Sequence, residues 1–177
     1  MINYPKSLIT SKSLLAKYLT KDVFDDLKNK QTANGITLED VIRSGIANID
    51  SGIGAYACDE ESYTTFASLF DPIIEEYHGF SKDDNHSSNL NAEEFNAPNP
   101  DPSGEYILST RSRVGRNMAN IPLGPAISKY QRNIVEQDVS TVLNSLTGSL
   151  AGKYYPLDDM NDSDKESLIS NHFLFKT

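Results

Sequence analysis

The chain has 177 residues, 38% of them hydrophobic, and 16 Lys and Arg against 25 Asp and Glu leave it at net charge −9. That length supports a core in one domain or two small ones, while the acidic balance counts against general binding to nucleic acid or an anionic membrane. No apolar run approaches the roughly 18–20 residues of a membrane span, and Met1-Ile2-Asn3-Tyr4-Pro5-Lys6 lacks the apolar core of a signal peptide. The single cysteine, Cys58, excludes an internal disulfide and suits a reducing compartment, so a cytoplasmic protein is expected. His78, His86 and His172 have no metal-ligand spacing with it, and no metal site is expected.

The first 80 residues carry helical periodicity. Leu14, Leu15, Tyr18 and Leu19 share one face within 11–19, and Thr20 is placed to cap a helix holding Val23, Phe24 and Leu27 that stops near Asn34-Gly35. Thr37 with Asp40 resembles a capping box, and Ile36 with Val41 fills the hydrophobic-staple positions. Val41, Ile42, Gly45, Ile46 and Ile49 form the apolar stripe of the next helix. Asp50-Ser51-Gly52-Ile53-Gly54-Ala55-Tyr56 then breaks the pattern. A glycine-rich turn of this kind either exposes backbone N–H groups as a nest for a carboxylate or phosphate, or simply connects two helices. It is no Walker loop, because the Gly-Lys-Ser/Thr ending is missing. Asp59 is placed to cap a helix with Tyr63, Phe66, Leu69 and Phe70, and Asp71-Pro72 reads as a restart with proline at the first helical position. That piece runs to Gly79, completing a small all-helical unit over 1–80.

Residues 81–104, rich in Asp, Asn and Ser and containing Pro98, Pro100 and Pro102, read as a linker. The next stretch is Tyr106-Ile107-Leu108-Ser109-Thr110-Arg111-Ser112-Arg113-Val114-Gly115-Arg116. Its first half reads as a strand, which puts Ser109, Arg111 and Arg113 on one face. Guanidinium forks match phosphate oxygens and stay charged at any working pH, so the cluster suits a polyphosphate. An edge strand whose arginines pair with surface carboxylates is the plainer alternative. A long helix is expected over 126–146, a second short strand at Lys153-Tyr154-Tyr155-Pro156-Leu157, and a last helix opened by Ser163 and Glu166. Two strands separated by a helix leave edges unpaired and apolar faces uncovered, so residues 105–177 read as the first part of an incomplete domain. The acidic pairs Asp25-Asp26, Glu60-Glu61, Glu75-Glu76 and Asp158-Asp159 point in different directions and read as solvated faces. Cys58 reads as structural.

Ser-Thr-Arg-x-Arg-x-Gly-Arg is similar to the nucleotide-binding strand of the phosphagen kinases, the ATP:guanidino phosphotransferases. Asp-Ser-Gly-Ile-Gly-Ala-Tyr resembles the guanidino-specificity loop of their arginine-using members. Asn34 to Gly45 upstream, and Tyr63 to Phe66 with Leu69 to His78 downstream, match the family's flanking text. The resemblance implies an α+β fold: a helical guanidino-substrate domain over 1–80, the linker 81–104, and over 105–177 the start of a nucleotide-binding antiparallel-sheet domain. It implies that Ser51, Gly52, Ile53, Gly54 and Tyr56 hold the amino-acid end of the substrate. It also implies that Ser109, Arg111, Arg113 and, in Asn-His-Phe-Leu-Phe-Lys, His172 contact ATP or ADP, with Mg2+ held mainly through the nucleotide. Arg116 matches the pattern as a support for the strand. The substrate implied is L-arginine. Ala55, smaller than the usual aliphatic residue there, leaves taurocyamine or another guanidino compound open. The family's catalytic residues match no position here, so the chain by itself is expected to be inactive; a homodimer is compatible with the family. The alternative from another class is a catalytically dead helical module that binds a protein partner through its acidic surface.

Overall fold

The computed structural model describes residues 3–110 and 114–174. The contacts divide the chain into two compact units, residues 1–127 and 128–177.

In the first unit a 3-10 turn, Lys6–Thr10, is followed by the helices α1 (Leu14–Tyr18), α2 (Lys21–Leu27), α3 (Leu38–Ala47), α4 (Ser62–Thr65) and α5 (Ala67–His78). The starts of α1, α2 and α3 are closed by side chains. The Ser13 hydroxyl accepts from Ala16 N–H at 3.1 Å, and the Thr20 hydroxyl accepts from Val23 N–H at 3.3 Å. The Asp40 carboxylate accepts from both the Thr37 N–H, at 3.0 Å, and the Thr37 hydroxyl, at 2.8 Å. Gly79, at φ +73°, ends α5 in the left-handed region that favours glycine. The expected restart at Asp71-Pro72 is not there: α5 runs unbroken and carries Pro72 in its interior. Leu69, Phe70 and Ile73 lie on both sides of that proline and are all buried, so packing holds the two halves in one helix despite the lost hydrogen bond.

These helices close around one core: Leu15 and Leu19, Phe24 and Leu27, Ile36 and Leu38, Val41 and Ile42, Cys58 and Phe66, and Leu69, Phe70 and Ile73. Leu8, from the 3-10 turn that periodicity alone does not mark, joins them. α1 packs on α5, and the contact is pinned at its rim where Lys17 Nζ meets Glu76 at 2.6 Å and the Tyr18 hydroxyl donates to the same carboxylate. Tyr4 closes the other end, edge-on to Phe24, with its hydroxyl donating to Leu19 O at 2.8 Å. Cys58 is fully buried; burial, reinforced by the nearby Asp40, pushes its thiol up to about 11. A thiol so placed is a small apolar filler.

From residue 81 to 110 nearly every side chain is exposed, with Asp101 the buried exception. Its carboxylate gathers the N–H groups of Gly104, Glu105, Tyr106 and Ile107, the last two at 2.8 Å. Those backbone donors hold the carboxyl below its usual range. The chain then returns to the helical unit. Leu123 N–H donates to Cys58 O at 2.7 Å, and a 3-10 turn, Gly124–Ala126, packs on α3, where Arg43 donates to Pro125 O at 3.1 Å.

In the second unit, α6 (Lys129–Ser145) is closed at its start by Ser128 and Gln131, and α7 (Asp162–Ser170) follows. The cap of α7 is Asn161, whose side chain accepts from Asp164 N–H at 2.8 Å, rather than the Ser163–Glu166 pair. Asn161 also donates through Nδ2 to the Asp164 carboxylate at 2.9 Å, which closes the first turn ahead of the expected start. Tyr154 ties the segment between the helices to Glu136 at 2.8 Å, and Lys153 ties it to Asp164 at 2.7 Å.

Among the described residues there is no β-strand, only the isolated bridge between Gln31 and Thr37. Tyr106–Thr110 and Lys153–Leu157, both read as strands from sequence, are irregular up to Pro156, and Leu157 opens a 3-10 turn. Tyr106, Ile107 and Leu108 are exposed at 82%, 44% and 94%. A strand is defined by the ladder it makes with a neighbour, and neither segment has one. The antiparallel sheet expected of residues 105–177 is therefore not formed by the described residues. No helix among them is long and apolar enough to cross a membrane.

Candidate functional site

The loop between α3 and α4 is fixed by its carbonyls. Leu14 N–H donates to Gly52 O at 2.9 Å and Leu15 N–H to Ile53 O at 2.8 Å, so two orphan amides at the start of α1 are spent on the loop. Tyr56 N–H donates to Val41 O at 2.9 Å and fixes the far end to α3. Ser51 N–H turns back to Asn48 O at 3.1 Å. The N–H groups of Gly52, Ile53, Gly54 and Ala55 have no acceptor among the described residues. Four consecutive unspent donors on a backbone whose carbonyls are engaged elsewhere are the physical content of an anion nest. No acidic side chain accepts from them.

Gly54 makes the bend with φ +83°, and it is buried between two walls. Ser51, Ile53 and Ala55 are partly buried, while Gly52 and Tyr56 are open. Tyr56 is 49% exposed, and Gly124 lies beside its ring, where an added Cβ would come within 3.6 Å of Cδ1. All five loop residues singled out from sequence thus belong to one turn, with the tyrosine at its rim.

Just beyond the turn, Asp59 receives hydrogen bonds from Thr32 Oγ1 at 2.7 Å, Ser62 Oγ at 2.6 Å, Ser62 N–H at 2.8 Å and Asn34 Nδ2 at 3.2 Å. Burial opposes its ionisation, but the hydrogen bonds from Ser62, Thr32 and Asn34 together hold it below the usual carboxylate range. It anchors the loop's exit to the 32–36 turn and to α4. A cavity of about 680 Å³ opens here, lined by Asn34, Asp59, Glu60, Tyr63, Asn117 and Leu123 among others, and none of the expected substrate or nucleotide residues is among its lining.

The expected nucleotide stretch gives less. Ser109 is exposed on irregular chain, and Arg116 is exposed with its guanidinium donating to the neighbouring Gly115 O at 2.7 Å. Arg111 and Arg113 lie outside the described residues. His172 belongs to the second unit, exposed just past α7 with φ +62°. Among the described residues no group of His, Cys, Asp or Glu is arranged to hold a metal ion. His78 packs edge-on to Tyr77 and His86 against Phe80.

The residues that fix the loop, namely Ser13, Leu14, Leu15, Val41 and Gly45, were not legible as site residues. One signal was available. A glycine costs about 1 kcal/mol against alanine inside a helix, so Gly45 in an apolar stripe points to a close backbone approach.

The loop lies within a stretch that matches a known family. Residues 10–75 match the N-terminal domain of the ATP:guanido phosphotransferases. The chain is 51% identical over 166 residues to an arginine kinase of Penaeus vannamei, covering 93% of this chain and 47% of that protein. It is 52% identical over 166 residues to an arginine kinase of Anthopleura japonica, of which it covers 23%. Among solved structures it is similar to a lombricine kinase (TM-score 0.76, 30% identity, 98% of this chain and 48% of that one). A duplicated taurocyamine kinase of Schistosoma mansoni matches at TM-score 0.79 and 29% identity, over all of this chain and 26% of that one. The chain spans about half or less of the length of the relatives it matches.

Proposed function

Because the chain matches the N-terminal part of the phosphagen kinases, we propose that it serves an ATP:guanidino phosphotransferase that moves the γ-phosphoryl of MgATP reversibly to L-arginine, in the cytoplasm. The observation that carries this is the turn at 51–56. Its carbonyls are pinned, its amides from Gly52 to Ala55 are unspent, and a half-exposed tyrosine stands at its rim.

Gly52, Ile53 and Gly54 present backbone donors, and Ser51 its hydroxyl, to the carboxylate of the amino acid, and Tyr56 closes over its stem. The guanidino end then projects away from the helical unit toward the transferring phosphoryl. Transfer through a loose transition state depends on positioning and charge neutralisation more than on covalent chemistry, so a rigid seat for the acceptor is the helical unit's contribution. Ser109, Arg111, Arg113 and His172 hold the nucleotide; MgATP itself supplies the phosphoryl group and a divalent charge against its phosphates. Residues 1–80 act as the substrate domain, 81–104 as the linker that lets it close, and 105–177 as the start of the nucleotide domain. None of the described side chains is placed as a base for the guanidinium, and the chain by itself does not turn over.

The test is MgATP-dependent phosphorylation across L-arginine, taurocyamine, lombricine and creatine, run on this chain and on the longest product of its gene. The longer product phosphorylates L-arginine in preference to the others, and this chain is silent. Preference for taurocyamine or lombricine, the substrates named for its structural neighbours, corrects the substrate. Silence from both proteins moves the assignment to a binding module.

A further inference from the structure

The turn at 51–56 is seated against a helix that has no side chain at the point of contact. A Cβ built on Gly45, in the interior of α3, falls 2.1 Å from Gly54 O, 2.7 Å from its Cα and 2.8 Å from its carbonyl carbon. No heavy atoms tolerate such distances, and all three belong to backbone, so no rotamer change relieves them. On its other side Gly54 is closed off as well. A Cβ there would lie 3.1 Å from Leu15 Cβ and 3.3 Å from Ser13 Cβ and Oγ. The turn is a layer one backbone thick between α3 and the start of α1. Leu14 and Leu15 N–H hold it on one side and Val41 O on the other.

We infer that Gly45 is a positioning residue for substrate: its missing side chain sets the height of the Gly52–Ala55 amides, and so the place where a guanidino acid's carboxylate is received. The substrate part of this inference rests on the function proposed above; the seating of the turn does not. Gly45 touches no substrate. It acts through Gly54, whose backbone carries the donors. In an ordinary helix the change to alanine raises helix propensity, so a loss caused by Gly45→Ala has the opposite sign from the local expectation.

The experiment uses this chain and two readouts. Hydrogen exchange of the Leu14, Leu15 and Tyr56 amides reports the seat, and calorimetric titration with L-arginine reports its use. In the wild type those three amides exchange as slowly as the interior of α3. In Gly45→Ala they speed up, and the L-arginine Kd rises by about tenfold to a hundredfold, as a misplacement near 1 Å implies, with MgADP affinity unchanged. Gly35→Ala is the control for plain destabilisation. At φ +78° it is strained, with nothing within 4 Å, and it lowers the melting temperature while leaving the three amides and the arginine Kd alone. Should Gly45→Ala not fold, the added Ser13→Gly, a tolerated cap, gives the turn room on its far side and returns part of the fold. Fast exchange at those amides in the wild type overturns the inference. So does a Gly45→Ala protein that keeps both protection and affinity, or no recovery with Ser13→Gly. A wild type that protects the three amides and loses them in Gly45→Ala, yet takes up no L-arginine, supports the seat and overturns the proposed function.

Discussion

The two units begin their helices in the same way and differ in what happens next. α2 and α6 both start on a hydroxyl residue, Thr20 and Ser128, that receives an N–H from within the first turn. In the first unit the apolar faces behind such caps meet, and among its described residues thirteen apolar side chains and Leu8 are buried together. Among the described residues of 128–177 not one is buried; Val139, Val142 and Leu143 on α6 are exposed at 43%, 60% and 44%. Capping decides where a helix begins, at about 1 kcal/mol each. Packing decides whether the helix belongs to a cooperative fold.

The largest way to break that comparison is in the core. Leu15→Ala or Phe66→Ala removes a fully buried side chain and costs about 3–5 kcal/mol. Leu143→Ala or Val142→Ala on α6 costs within about 0.5 kcal/mol. Urea unfolding followed by circular dichroism separates them, and equal costs would mean that the α6 face is packed in solution.

Next is Asp59, at the loop's exit. Asp59→Ala strands Thr32, Asn34 and the Ser62 amide, at about 1–3 kcal/mol. Its pH dependence has a definite sign. The folded pKa lies below the ordinary 3.8, so its contribution is complete above that value and is lost as pH falls through the folded pKa. Denaturation midpoints in the wild type therefore drop between pH 5 and pH 2 more steeply than in Asp59→Asn; parallel curves would remove Asp59 from the account.

Caps sharpen the comparison further. Thr20→Ala and Ser128→Ala each remove about 1 kcal/mol. The first appears as a lower midpoint of a cooperative transition, the second as lost helicity at low temperature, because α6 lacks a buried face to hold it. The smallest effects are local. Asp101→Asn weakens the acceptor for the Tyr106 and Ile107 amides, and faster exchange confined to residues 104–107 reads it out with the global melt unmoved. Lys153→Ala opens an exposed pair with Asp164 and leaves the melt where it was.

Helix starts in the first unit were written in the residue pattern, since a cap and a stripe at 3.6-residue spacing are local properties, but α2 stops at Leu27, well before the expected end near Asn34-Gly35. Thr37 with Asp40, Thr20 and the stop at Gly79 stand where the sequence puts them. Pro72 does not, because the burial of Phe70 and Ile73 outweighs one missing hydrogen bond. The segments 106–110 and 153–157 carry strand-like composition, yet pairing is a property of two segments, and alternation in one cannot supply the other. The loop residues Ser51 to Tyr56 were legible as a glycine-rich break. Their supports were not, because Leu14 and Gly45 come near Gly52 and Gly54 only once α1 and α3 have packed.

By itself, then, the amino-acid order determined the caps, the stripes, the glycine turn and the arginine cluster, because each depends on residues within a few positions of one another. Tertiary structure alone decided that two carbonyls of the turn would be bound by α1, that four amides would be left unspent, and that a helix would offer a bare backbone at Gly45. Those outcomes depend on which surfaces approach and how closely, and a difference of one methyl group across that gap has no local signature.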